Sequence, residues 1–215
     1  MQKNSDVKFE VLRMPPTNTN SVLVSCGMDA VIFDAWGKAA DWERVLLERG
    51  LKLRAIYCTH GHPDHISAAP ALSMAFGVDW YLNNRDEYLI GWGNELLDMF
   101  GIPHIHDNYK KPIHISAGTV DILPDVKMEI MESPGHTPGG LMFYFPQYEV
   151  LITGDTLFAE SVGRTDFPGG DENELKQSIA NLCEMDLNDG TYVVHGHGMD
   201  TTVQWLKKHN QFFKA

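Results

Sequence analysis

Short runs rich in β-branched and aromatic residues open the chain: Val7 to Met14, Ser21 to Cys26 and Ala30 to Phe33. Pro15-Pro16, Asn18 to Asn20 and Gly27-Met28-Asp29 separate them, and apolar runs of this length punctuated by turn residues predict an antiparallel meander. The period then changes. Asp41 precedes Trp42, Val45 and Leu46 at helical spacing and Gly50 closes the segment, so a helix capped by Asp41 is expected. Leu53 to Cys58 returns to a strand pattern, Ile66 to Phe76 is helical up to Gly77, and Trp80 to Leu82 is a short strand. From Arg85 to Tyr109 no period is sustained, and Tyr88, Trp92, Met99, Phe100 and Tyr109 lie among glycines and a proline. This stretch reads as a packed helical connection, with a partly helical flap beside a site as the second reading. Strand patterns resume at Lys127 to Glu132, Leu141 to Phe145, Glu149 to Thr153 and Thr191 to Val194. Asp171, with Glu174 three residues on, starts a helix that places Leu175, Ile179 and Leu182 on one face, and Thr201 onward reads as a closing helix. Strands then helix, given twice, predict two similar halves packed sheet to sheet with helices outside.

A chain of 215 residues is long enough for one sizeable core, and a single domain over 1–215 is expected. No apolar run approaches the roughly 20 residues of a membrane span, so no membrane partner is expected. The start lacks a basic segment followed by an apolar stretch, which points to a cytoplasmic location. A net charge of -12 with no basic stripe argues against nucleic acid as a partner. Cys26, Cys58 and Cys183 are odd in number and sit in apolar patterns, as reduced core residues do.

The chemistry is concentrated in Thr59-His60-Gly61-His62-Pro63-Asp64-His65, where three imidazoles and a carboxylate fall within six residues. Neutral imidazole and ionised carboxylate are the ligands that borderline divalent cations prefer. If the strand before it continues, His60 and His62 point the same way and can grip one metal. Pro63 keeps His62 out of the helical region, so Asp64 and His65 leave the strand direction and can reach a second metal about 3.5–4 Å away. Four donors cannot complete two sites. Further donors are expected at strand ends, where His136 lies in Ser133 to Gly140, Asp155 follows Gly154, and His195 and His197 follow the last long strand. Taken singly these are a turn histidine, a helix-capping aspartate and a glycine-rich turn; together with the first cluster they point to ligation. The residues alone do not choose between His195 and His197. His104 and His106 repeat the spacing with no carboxylate or third histidine beside them, and read as surface or satisfied histidines.

The order HGHPDH, His136, Asp155, His197 resembles the metallo-β-lactamase fold superfamily over nearly the whole chain. That resemblance implies an α/β fold, a four-layer αββα sandwich. It gives His60, His62 and His136 to one metal and Asp64, His65 and His197 to the other. Asp155 bridges, with Asp64 and Asp155 as the catalytic carboxylates and His195 structural. The two divalent cations would be zinc first, with iron or manganese as alternatives. Within the superfamily, GDTLF followed by GRTDFPGGD is similar to the glyoxalase II branch, in its short bacterial form. A metal-dependent hydrolysis of a small-molecule thioester such as hydroxyacylglutathione is therefore implied, with water ionised between the cations as the nucleophile. Arg164 matches a position that contacts the glutathione part, but Asp166 stands where an aromatic residue is expected, so an Arg164–Asp166 ion pair bracing the loop is an equal reading. The rival within this fold is a persulfide dioxygenase with a single iron, which shares the histidine signature and a GRTDF segment. A lactone or β-lactam hydrolase is a further alternative.

Overall fold

The computed structural model describes residues 6–105 and 108–214. The opening runs form a meander of β1 (Val7–Met14), β2 (Thr19–Cys26) and β3 (Asp29–Phe33), with β1 and β3 each antiparallel to β2. Next, α1 (Ala39–Arg49) starts before Asp41: Lys38 holds the cap position without a side-chain bond, and Asp41 lies in the first turn. A carboxylate there still faces unpaired backbone N–H groups, which is why the sequence signal sits close to the true start. Gly50 ends the helix in the left-handed region at φ 63°.

The strand before the histidine cluster, β4 (Lys52–Tyr57), stops one residue short of Cys58. The helical pattern that follows is two helices rather than one, α2 (Pro63–Ile66) and α3 (Ala69–Phe76). A proline sits in the first turn of each, and Pro70 has no N–H with which to continue α2 into α3. After β5 (Asp79–Leu82) comes a 3-10 helix, Asn84–Leu89, then α4 (Asn94–Met99) and the short β6 (Ile113–His114). The irregular stretch is thus largely helical; Leu97 packs inward with Trp36 and Ile102, while Trp92 and Leu96 remain partly exposed.

The second half contains β7 (Gly118–Leu123), β8 (Val126–Glu132), β9 (Leu141–Phe145), β10 (Val150–Gly154), α5 (Glu172–Cys183), β11 (Tyr192–His195), β12 (Thr201–Thr202) and α6 (Val203–His209). Asp171 caps α5 by accepting from the N–H groups of Asn173 and Glu174. The expected strands are present within a residue or two; β7, with its exposed first residues and an aspartate in mid-run, was not predicted.

Two six-stranded sheets result, ordered β1-β2-β3-β4-β5-β6 and β12-β11-β10-β9-β8-β7. Strand alternation explains how they stack. Val22, Val24, Val31 and Phe33 face Phe143, Phe145, Val150 and Ile152 in the core between the sheets. The intervening residues Leu23, Ile32 and Ile56 turn outward to meet Trp42, Leu46 and Leu72 of α1 and α3. On the other side Met142, Leu151 and Val193 meet Leu175, Ile179, Val203 and Leu206 of α5 and α6. The outcome is the αββα sandwich. Parallel pairing joins β3 to β4 and β10 to β11, so these strands deliver their carboxyl ends to one edge of each sheet. Among the described residues no helix is long and apolar enough to cross a membrane.

Candidate metal centre

All the side chains singled out between His60 and His65 meet those of His136, Asp155 and His197 at the carboxyl ends of these strands. His60 and His62 converge, with His60 Nε2 3.1 Å from His62 Nδ1, and His62 Nδ1 is 2.9 Å from His136 Nε2. The route is not strand alternation: β4 has ended, and the loop bends through Thr59 to Gly61 before His62 turns extended at φ -69°, ψ 146° ahead of Pro63. α2 then presents Asp64 and His65 from its single turn. His197 Nε2 lies 3.2 Å from Asp64 Oδ2 and 3.4 Å from His65 Nε2. Asp155 stands between the two groups, its Oδ2 3.6 Å from His136 Nε2 and 3.5 Å from His197 Nε2, its Oδ1 3.4 Å from His65 Nε2.

Glycine makes this approach possible at two points. Gly154 ends β10 at φ 50°, and a Cβ there would come 2.5 Å from Thr59 Oγ1, so the ends of β4 and β10 could not meet around a larger residue. At Gly196 a Cβ would overlap Asp155 Oδ1.

The outer nitrogens of the rings set their tautomers. His136 Nδ1 is 2.7 Å from the Arg164 carbonyl, an acceptor only, so Nδ1 carries the hydrogen and Nε2 presents a lone pair inward. His65 Nδ1 likewise donates to Asp34 Oδ2 at 2.9 Å. Thr59 Oγ1 donates to Asp34 Oδ2 at 2.8 Å and is left free to accept from His60 Nδ1 at 3.0 Å. Lone pairs of buried imidazoles therefore face one another at about hydrogen-bond distance, which is repulsive unless a cation or proton lies among them. Ring nitrogens ligating one tetrahedral cation at about 2.0–2.1 Å stand about 3.3 Å apart, close to the spacings here. Asp155 Oδ1 is moreover buried without a hydrogen bond. The donor set thus fits divalent cations: His60, His62, His136 and Asp64, His65, His197 are two triads that could hold them, and a third group, His60, His65 and Asp155, lies between the two.

Charge follows the same division. Burial, with His136 alongside, pushes His62 down to about 4, and burial with the neighbouring imidazoles His65 and His62 pushes His60 well down. At the carboxylate-rich end, burial would depress His197, but hydrogen bonding to Asp155 and Asp64 holds it up at about 9. Burial likewise opposes protonation of His65, yet Asp34, Asp155 and Asp64 raise it. Asp155 stays ionised despite its burial because His65 and His197 lower it.

Three supporting residues gave no sequence signal. Asp34, at φ 53° just after β3, accepts from Thr59 N at 2.7 Å as well as from Thr59 Oγ1 and His65. Asp86 accepts from Gly61 N, Thr137 Oγ1 and Gly139 N, tying the His60–His62 loop to the His136 loop. Asn20 Nδ2 donates to the carbonyls of His195 and Gly198, and Asn20 N to that of Gly196, which holds the turn bearing His197. Asp34 follows β3, Asn20 lies within β2 and Asp86 within the 3-10 helix, and only the paired positions across the fold give each a role.

The remaining candidates fall outside. His195 is buried with Nδ1 against the Leu157 carbonyl and Nε2 against Thr201 Oγ1, so both nitrogens are engaged away from the metal-donor groups. His104 pairs with Asp98 at 2.8 Å; His106 lies outside the described residues. Cys58 is fully buried, its thiol pushed up by burial, and no cysteine joins the donor groups among the described residues. Arg164 lines the cleft over the donors, together with His62, Trp92, Leu96 and Phe167; the cleft has a volume of about 460 Å³.

Residues 14–197 match the model of the metallo-beta-lactamase superfamily. The chain is 36% identical over 188 residues to hydroxyacylglutathione hydrolase GloC of Haemophilus influenzae, an alignment covering 87% of this chain and 88% of that protein. Its fold superposes on the BLEG-1 B3 metallo-beta-lactamase with a TM-score of 0.85 at 30% identity, covering 97% of this chain and all (100%) of the other. It also superposes on TTHA1623 in a di-iron-bound form, with a TM-score of 0.83 at 29% identity, covering 94% and 99%.

Proposed function

The chain belongs to the metallo-β-lactamase superfamily, and from that premise we propose that it is a binuclear metal hydrolase that cleaves a thioester of the hydroxyacylglutathione kind. One domain over 1–215 would carry the activity. His60, His62 and His136 would hold one cation, Asp64, His65 and His197 the other, and Asp155 would be shared, with zinc the first choice and iron or manganese compatible with the same donors. The observation that carries the binuclear reading is the position of Asp155 Oδ2, at similar distance from His136 Nε2 and His197 Nε2.

A cation pair, when bound, polarises a carbonyl and lowers the pKa of water enough to provide a nucleophile near neutral pH. The chain's own residues do the rest. Asp34 and the Arg164 carbonyl each accept from Nδ1, of His65 and His136 respectively, which leaves Nε2 as the nitrogen through which each ring would ligate. Trp92, Leu96 and Phe167 give the cleft an apolar wall that excludes water from one side of the acyl group. Neither Asp64 nor Asp155 offers a proton, because both are held below the usual carboxylate range. A thiolate departs without one, which suits a thioester better than an amide or ester.

A panel of glutathione, coenzyme A and simple thioesters, run with elemental analysis on the same preparation, tests the proposal. Two cations per chain and thioester cleavage without oxygen uptake are expected. One iron per chain with oxygen consumption on glutathione persulfide would make the protein a dioxygenase instead. A β-lactam belongs in the same panel, since the likeness to the BLEG-1 B3 metallo-beta-lactamase favours that as the second reading.

Metal binding is expected to release protons. In the metal-free protein His197 keeps its proton up to about pH 9, so a cation arriving below that pH must displace it. Apparent affinity should rise with pH toward about 9, by up to about tenfold per unit for each proton released, and level off above. Titration calorimetry at neutral pH in buffers of different ionisation enthalpy reads this directly. Identical heats in all buffers would show that no proton leaves and that His197 is not displaced.

A further inference from the structure

The two triads differ in charge. Asp64 belongs to the second, and Asp34 stands behind it, bonded to His65 Nδ1. His60, His62 and His136 are three imidazoles with no carboxylate among them, and Asp34 reaches His60 only through Thr59. The carboxylate on their side is Asp86, fully buried in the 3-10 helix Asn84–Leu89.

The bonds of Asp86 run to the loops that carry this triad. Oδ2 accepts from Gly61 N at 2.9 Å and from Thr137 Oγ1 at 2.7 Å, and Oδ1 accepts from Gly139 N at 2.6 Å. Gly61 lies between His60 and His62, and Thr137 follows His136, so one carboxylate is bonded next to all three imidazoles along the chain. Both glycines make room for it. A Cβ at Gly61 would come 2.8 Å from the Asp86 carbonyl oxygen and 3.0 Å from its Cβ, and one at Gly139 would come 2.7 Å from Asp86 Cγ and Oδ1.

All three partners donate, and a carboxylate is the side chain that accepts from all of them while presenting no hydrogen of its own. None of the three is charged. Burial pushes the Asp86 carboxyl up, and the hydrogen bonds with the neighbouring His136 only partly offset that. A cation on the triad would favour the anion further, and by the same attraction the anion favours the cation.

We propose that Asp86 is the positioning residue for one cation of the pair, the one on His60, His62 and His136: it holds the two ligand loops in register and supplies negative charge to a triad that, Asp155 apart, has none. The other cation, on Asp64, His65 and His197, has Asp34 in that place. The inference rests on the binuclear reading above.

Zinc titration of the full chain against a chromophoric chelator, with nitrogen-15 spectra of the histidine side chains at each step, provides the test. Asp86→Asn keeps the size, removes the charge, and in either orientation sets an amide N–H against a backbone N–H, that of Gly139 or that of Gly61. One of the two zinc affinities should fall about 10–100-fold while the other stays within about twofold. The first equivalent of zinc should then shift the signals of His65 and His197 and leave His62 and His136 as they are in the metal-free protein. Thr137→Val removes one donor and keeps the charge, so the same affinity should fall by up to about fivefold. A general loosening of the fold would lower both affinities together. That outcome, no change in either, or a tight zinc in Asp86→Asn that sits on His62 and His136 overturns the proposal; should Asp86→Asn fail to fold, Thr137→Val decides by the same readings. A wild type that takes one zinc per chain ends the binuclear reading, and Asp86 then keeps its role only if that zinc shifts His62 and His136 and both substitutions weaken it.

Discussion

Asp155→Ala is expected to abolish turnover to within about a thousandth of the wild-type rate and to lower metal content in the same protein. The size follows from what the carboxylate does. Among the described residues it is the one carboxylate within 3.6 Å of ring nitrogens from both histidine groups, so on the binuclear reading its loss would remove a donor from each at once. Misplacing the charges that polarise the reacting carbonyl by this route costs about 4 kcal/mol of transition-state stabilisation, roughly a factor of a thousand. Loss of Asp155 also removes a carboxylate that raises the pKa values of His65 and His197, which eases displacement of their protons by a cation and offsets part of the lost ligation. Asp155→Asn separates charge from shape: the amide fills the same volume but donates from one side, toward nitrogens that need an anion. Elemental analysis, kcat/KM and a thermal melt on each variant provide the check. A folded Asp155→Ala protein with wild-type turnover would remove the bridging role and with it the binuclear proposal.

How far the sequence could be read depended on how local each signal was. Central strands announced themselves because both faces are buried: Val22 to Val24, Val31 to Phe33 and Leu141 to Phe145 are unbroken apolar runs, and the sheets are built on them. β7 escaped because its first residues are exposed and Asp121 interrupts it; pairing with β8 makes it a strand. Apolar spacing from Ile66 to Phe76 runs unbroken across Pro70 and so predicts one helix, whereas the missing N–H of Pro70 divides the segment into two. At the site, His60 to His65 stood out from crowding alone. His136, Asp155 and His197 are single residues in ordinary turns, and only their order in the chain tied them to the first group, which the convergence of β4, β10 and β11 now brings together in space. The residues alone left His195 and His197 open and the family resemblance named His197; in the structure the strand still runs at His195, which turns toward Leu157 and Thr201, while the turn beyond it is held by Asn20 and aims His197 at Asp64.

Asp34→Ala should be the most destabilising single change near the centre. Three donors, Thr59 N, Thr59 Oγ1 and His65 Nδ1, lose their acceptor in a place that water does not reach, Asp34 being 1% exposed. Removing one partner of a buried, hydrogen-bonded charge costs about 3–5 kcal/mol, and alanine also tolerates the left-handed backbone at φ 53° less well than aspartate. Asp34→Asn isolates the chemistry from the fold. Asparagine accepts the same backbone angle, and its oxygen can keep the bond from Thr59 N. Its amide then points N–H groups at Thr59 Oγ1, which can rotate to accept, and at His65 Nδ1, which can accept only by giving up its hydrogen. The hydrogen the ring then keeps sits on Nε2, the nitrogen that faces Asp64, Asp155 and His197. The expected result is a protein that folds with a modest loss of about 1 kcal/mol, yet binds cations about 10–100-fold more weakly. Chelator competition measures the affinity, urea unfolding the stability, and nitrogen-15 shifts of His65 the tautomer. If the asparagine protein binds metal as tightly as wild type with His65 still protonated on Nδ1, Asp34 does not govern the ring, and the tautomer argument for the centre fails with it.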